Sequence, residues 1–158
     1  MGNWGFSYIG LIYLLMLWIP NSVWAKHQPA GYQAQTEAKS LVLLERIGQV
    51  CTTAAVLMFQ DFNIKPWSLW SLWFVASLLC MILYEGWWLR YFRSAKTLAD
   101  FYSSYLGVPV AGATLPVLAF FLLGIYGKVI WLLLATILLG IGHIGIHLNH
   151  KKEMLHQS

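Results

Sequence analysis

The chain alternates between long apolar runs and short clusters of charge. No Asp, Glu, Lys or Arg occurs in residues 1–25, 66–84 or 101–127. A helix needs about 20 mainly apolar residues to cross a hydrocarbon core of about 30 Å. Backbone in that medium must satisfy its own polar groups, which a helix does within one segment. The pattern predicts helices near residues 5–24, 41–59, 67–88, 105–126 and 129–149. Turn-forming residues separate them. Pro20, Asn21, Pro29 and Gly31 mark the first connection, Asp61, Asn63 and Pro66 the second, and Gly127 with Lys128 the fourth. The expected fold class is all-α, a bundle of five transmembrane helices forming a single membrane domain over 1–158.

The second segment needs a further argument, because Glu45 and Arg46 interrupt it and leave only 47–60 uncharged. Loop charge supplies it, since Lys and Arg collect on the cytoplasmic side. With five spans, Lys26, Lys39, Arg90, Arg93, Lys96, Lys151 and Lys152 share one side and only Lys65 and Lys128 the other, seven against two. If the second segment does not cross, the tally becomes five against five. Five spans explain the charge placement, with the N-terminus outside and the C-terminus cytoplasmic. Residues 9–19 followed by Val23-Trp24-Ala25 also resemble a signal peptide with a cleavage site. The missing positive n-region argues for retention, and so does the charge reversal that cleavage would cause.

Composition agrees with a membrane domain. Hydrophobic residues make up 59% of the 158 and charged residues 10%, against roughly 25% charged in soluble domains. Trp4, Trp18, Trp24, Trp67, Trp70, Trp87, Trp88 and Trp131 lie near segment ends, where indoles favour the headgroup level, so they read as interfacial anchors. Cys51 and Cys80 fall inside apolar segments and read as small core residues. The stretch Arg90-Tyr91-Phe92-Arg93-Ser94-Ala95-Lys96 reads as a basic loop facing anionic headgroups. It is too small for nucleic-acid binding.

Ionisable residues inside spans are costly and usually face the bundle interior. Glu45, Gly48, Gln49 and Thr52 share one face of the second segment, with Arg46 about 100° away. Ser77, Met81, Glu85 and Trp88 share a face of the third. Thr136, Gly140, His143, His147 and His150 form a stripe on the fifth, flanked by Gly142 and Gly145, which permit close packing. At about 1.5 Å per residue, Glu45, Glu85, His143 and His147 all lie near the cytoplasmic leaflet. Structural ion pairing explains such residues without any ligand.

A sharper reading gathers Glu45, Arg46, Gln49, Glu85, Trp88, His143 and His147 into a ligand-binding pocket. His143 and His147, at i and i+4, also suit a divalent metal such as zinc or iron with Glu45 as third ligand. Pro109 and Pro116 in the fourth segment predict a weak point there. The expected function is binding of a small amphiphilic ligand, or of another membrane subunit, in the bacterial cytoplasmic membrane. A metal-dependent enzyme acting on a lipid-like substrate is the first alternative, and a component of a proton-coupled transporter the second. No phosphate loop, nucleophile elbow or dinucleotide fingerprint is present, so the sequence names no reaction.

Overall fold

The computed structural model describes residues 2–29, 31–32 and 37–157. Among the described residues six α-helices follow one another: α1 Tyr8–Ala25, α2 Lys39–Met58, α3 Leu72–Arg93, the short α4 Leu98–Phe101, α5 Ala111–Gly127 and α6 Ile130–Gln157. One-turn 3-10 helices stand at Gln60–Phe62 and Leu69–Ser71. Among the described residues there are no strands, only two isolated bridges, Trp4 with Phe59 and Tyr105 with Val108.

All five expected segments are helical, with shifted ends. Tyr8–Ala25, Lys39–Met58, Leu69–Arg93 and Ile130–His156 are long and apolar enough to cross a membrane, while α5 is apolar but shorter. It starts later than expected because Leu106 and Val110 adopt left-handed backbone and Gly107 has φ 82°, conformations that no α-helix passes through. Pro109 therefore lies ahead of the helix, and only Pro116 is inside it. The helix α3 runs five residues further than expected, so Arg90 and Arg93 belong to its last turn and not to a loop. Only Ser94 onward is connection.

The helices turn large apolar side chains outward. Leu15, Ile19, Leu43, Val50, Leu79, Ile82, Leu134 and Ile141 are all exposed. A bundle surrounded by water would hide such a surface, whereas lipid accepts it. Association inside a bilayer then depends on close packing and hydrogen bonds. The α2–α6 pair meets at its glycines. A methyl on Gly48 would strike the backbone of Leu139, and one on Gly142 the backbone of Glu45. The α3–α5 pair is held by Ser77 Oγ, which donates to Ala119 O at 2.7 Å and lies 3.1 Å from Tyr13 OH. Gly112 makes room for the Trp87 indole.

One end of the bundle is closed by the N-terminal segment and the α2–α3 connection. Gly5 N donates to Met58 O at 2.9 Å, Ser7 N to Leu57 O at 3.1 Å, and Gln60 N to Asn3 O at 3.1 Å. Asn63 Oδ1 accepts from Tyr8 N at 3.0 Å, and its amide donates to Phe6 O at 3.0 Å. Ser7 caps α1 by accepting from Gly10 N at 2.8 Å. Tyr126 OH accepts from Lys65 N at 3.1 Å and donates to Asn63 O at 3.2 Å.

Tryptophan exposure corrects part of the sequence reading. Trp4, Trp18, Trp67, Trp70 and Trp131 are exposed, as interfacial anchors should be. Trp87 and Trp88 are 1% and 3% exposed and belong to the core, and Trp24 is half-buried against it. Position near a helix end sets depth along the membrane normal. It leaves open which side of the helix the indole occupies, and here that side faces the bundle.

Candidate functional site

The opposite end gathers most of the ionisable side chains. The end of α6 comes against the start of α2 and the connection that carries α4. Gly142 and Gly145 keep α6 close to Leu41 and Glu45, so His143, one residue along, faces the Glu45 carboxylate. His143 Nδ1 donates to Glu45 Oε1 at 2.5 Å, and Gln49 Nε2 donates to the same oxygen at 3.4 Å. The His143 and Glu45 side chains are 25% and 18% exposed, so the pair is largely withdrawn from the surroundings. The His147 ring lies 4.7 Å from that of His143, centre to centre.

Two turns beyond His143, the pattern repeats. His150 Nε2 donates to Glu37 Oε1 at 3.2 Å, and His150 Nδ1 lies 3.6 Å from Glu153 Oε2. A small cavity of about 100 Å³ lies beside this second pair, lined by Glu37, Ala38, Ile146, Asn149, His150 and Glu153.

Aromatic rings form the inner wall. Phe101 and Tyr102 each lie 5.6 Å from the His147 ring. Tyr102 stacks on His150 at 5.7 Å, and Tyr32 is 6.2 Å from it. A capping box holds Phe101 and Tyr102 in place. Thr97 Oγ1 accepts from Asp100 N at 3.1 Å, and Asp100 Oδ2 accepts from Thr97 N at 3.0 Å. These hydrogen bonds from Thr97 hold the Asp100 carboxyl below its ordinary pKa. Burial, with the charges of Glu37 and Glu45, raises the Tyr32 phenol. Tyr102 is raised by burial first, with added effects from Tyr32, Glu37 and Glu153. Both phenols therefore stay protonated and keep their O–H donors.

Glu45, Gln49, His143 and His147 thus come together. Arg46 is exposed on α2 and makes no ion pair among the described residues. Glu85 joins neither histidine, and its Oε1 is buried without a hydrogen-bond partner. Trp88 packs against Tyr84, Tyr91 and Phe92 and approaches His147 only through the intervening ring of Phe101. Among the described residues no three His, Cys, Asp or Glu side chains are placed to hold a metal ion. The expected ligand set of His143, His147 and Glu45 is therefore not assembled. Of the two histidines the Glu45 carboxylate engages only His143, and His147 packs against Phe101 and Tyr102.

Glu37, Tyr32, Phe101 and Tyr102 were not among the expected site residues. None lies in a long helix, so helical periodicity could not place them. The Thr97-Leu98-Ala99-Asp100 capping signature was the one readable cue that Phe101 sits in a fixed turn. No family model, curated protein or solved structure matches this chain.

Proposed function

We propose that this is a five-span protein of the bacterial cytoplasmic membrane, with its N-terminus outside and its C-terminus in the cytoplasm. It would bind a small amphiphilic ligand at the histidine-rich end. Support for five spans comes from helicity in every expected segment. At 17 residues, α5 rises about 25 Å, close to the hydrocarbon thickness. Lys and Arg crowd the histidine-rich end, which fits the cytoplasmic side.

One observation carries the binding reading. Two glutamate–histidine contacts follow one another along α6, Glu45 reaching it from α2 and Glu37 from just ahead of α2, and the second adjoins a small cavity under a wall of aromatic rings. A single buried pair would serve packing, whereas a second pair that lines an open space suits a polar head. That head would donate hydrogen bonds to Glu37 and Glu153, with the apolar remainder in lipid.

The test is mass spectrometry of small molecules that co-purify with the protein. A species retained by the wild type and lost from Glu45→Gln and Glu37→Gln supports the reading. Identical extracts from all three proteins would dismiss it. Reporter fusions at each terminus test the orientation, and a cytoplasmic N-terminus would overturn it.

A further inference from the structure

We infer that the outer face of α3, at its basic end, is a discrete binding site for one anionic phospholipid of the surrounding bilayer. Gly86, Leu89, Arg90, Arg93 and Ser94 line an open groove of about 580 Å³ there. The inference rests on α3 spanning the membrane and is independent of the ligand proposed at the histidines.

The groove has an apolar part and a cationic part in the order a lipid needs. Gly86 admits the Tyr105 hydroxyl, which would stand 3.1 Å from an added methyl. Leu89 beside it is 58% exposed. An acyl chain lying along α3 would cover Leu89. One turn further toward the helix end stand Arg90 and Arg93, at the depth where phosphodiesters lie.

Both guanidinium groups are exposed, and neither makes an ion pair among the described residues. The carboxylate that senses Arg90, Asp100, is engaged by Thr97 instead. Arg90 is nevertheless held in position. It lies over the Tyr105 ring at 5.3 Å and donates to Ser103 Oγ and, at 3.4 Å, to Ser104 O. A guanidinium fork held this way matches two phosphate oxygens at once. A free phosphate would meet the same two cations but would leave Leu89 uncovered, so the groove fits the lipid better.

Native mass spectrometry of the purified protein with added phosphatidylglycerol tests this, with phosphatidylcholine and inorganic phosphate as comparisons. One retained phosphatidylglycerol is expected, with weaker retention of phosphatidylcholine. Arg90→Gln/Arg93→Gln should weaken retention at least tenfold, at about fivefold per basic group. Lys151→Gln/Lys152→Gln removes equal charge from the same end and should leave retention unchanged. Arg93→Gln alone, whose side chain makes no hydrogen bond in the structure, should fold normally and lose about fivefold.

Equal losses in the two double variants would reduce the effect to diffuse surface charge and overturn the site. Unchanged retention in Arg93→Gln would also overturn it, as would displacement of the lipid by millimolar inorganic phosphate. Glu45→Gln should keep the lipid, so failure here and failure of the histidine-end ligand are separate results.

Discussion

The two ends of the bundle solve the same problem differently. At the end closed by the N-terminal segment, polar groups are matched mostly by backbone: Gly5, Ser7 and Gln60 bond across the chain, Asn63 serves Tyr8 and Phe6, and the Asp61 carboxylate accepts from Asn3. At the other end, carboxylates meet imidazoles, and Tyr32, Phe101 and Tyr102 pack around them. Backbone hydrogen bonds fix a shape and offer nothing that titrates or exchanges partners. Glutamate–histidine contacts near a small cavity can be traded for contacts to a ligand. On the proposed reading, the difference separates a clasp, whose loss costs folding, from a site, whose loss costs binding.

The largest effect should come from breaking the clasp. Asn63→Ala strands the first amides of α1 and the Phe6 carbonyl, and should cost about 2–3 kcal/mol. Thermal or denaturant unfolding in detergent checks it, and a cost below that of Glu45→Gln would invert the comparison. Tyr126→Phe removes a hydroxyl that accepts from Lys65 N and donates to Asn63 O, for about 1–2 kcal/mol. Glu45→Gln keeps an acceptor for His143 Nδ1 and should cost at most about 1 kcal/mol of stability. Its signature is loss of the co-purified molecule. Arg46→Gln, exposed and unpaired, should stay within about 0.5 kcal/mol.

The smallest effect concerns pH. The Asp100 carboxyl lies below its ordinary value of 3.8 because Thr97 donates to its charged form. A depressed carboxyl lends stability that is complete above that ordinary value and lost as pH falls through the lower folded value. Pepsin cleavage within 94–110 should therefore quicken as pH drops below about 3.8. Asp100→Asn should be cut at a rate that no longer steps with pH there.

The helices were legible because apolar runs of membrane length leave little choice of structure. The seam between α2 and α6 was partly legible too, since Gly142 and Gly145 flank His143 and Gly48 follows Glu45. The Glu45–His143 contact followed from depth and helical face together. Depth alone misled for Glu85 and Trp88, because two residues at one level still differ in the direction they face. The contribution of the α3–α5 connection was illegible. Tyr102 and Phe101 reach the histidines through a four-residue helix whose placement depends on left-handed residues at Lys96 and Leu106, a conformation that propensity does not predict for either.

The length of α6 has a mechanical consequence. Its 28 residues rise about 42 Å, roughly 12 Å more than a hydrocarbon core requires. No proline or other break divides it, so its apolar and polar portions form a single rod. A push or pull on the turn bearing Glu153 would shift His150, His147 and His143 by the same displacement. A docking event in the aqueous phase would thereby be felt at Glu45, with no intervening hinge to absorb it.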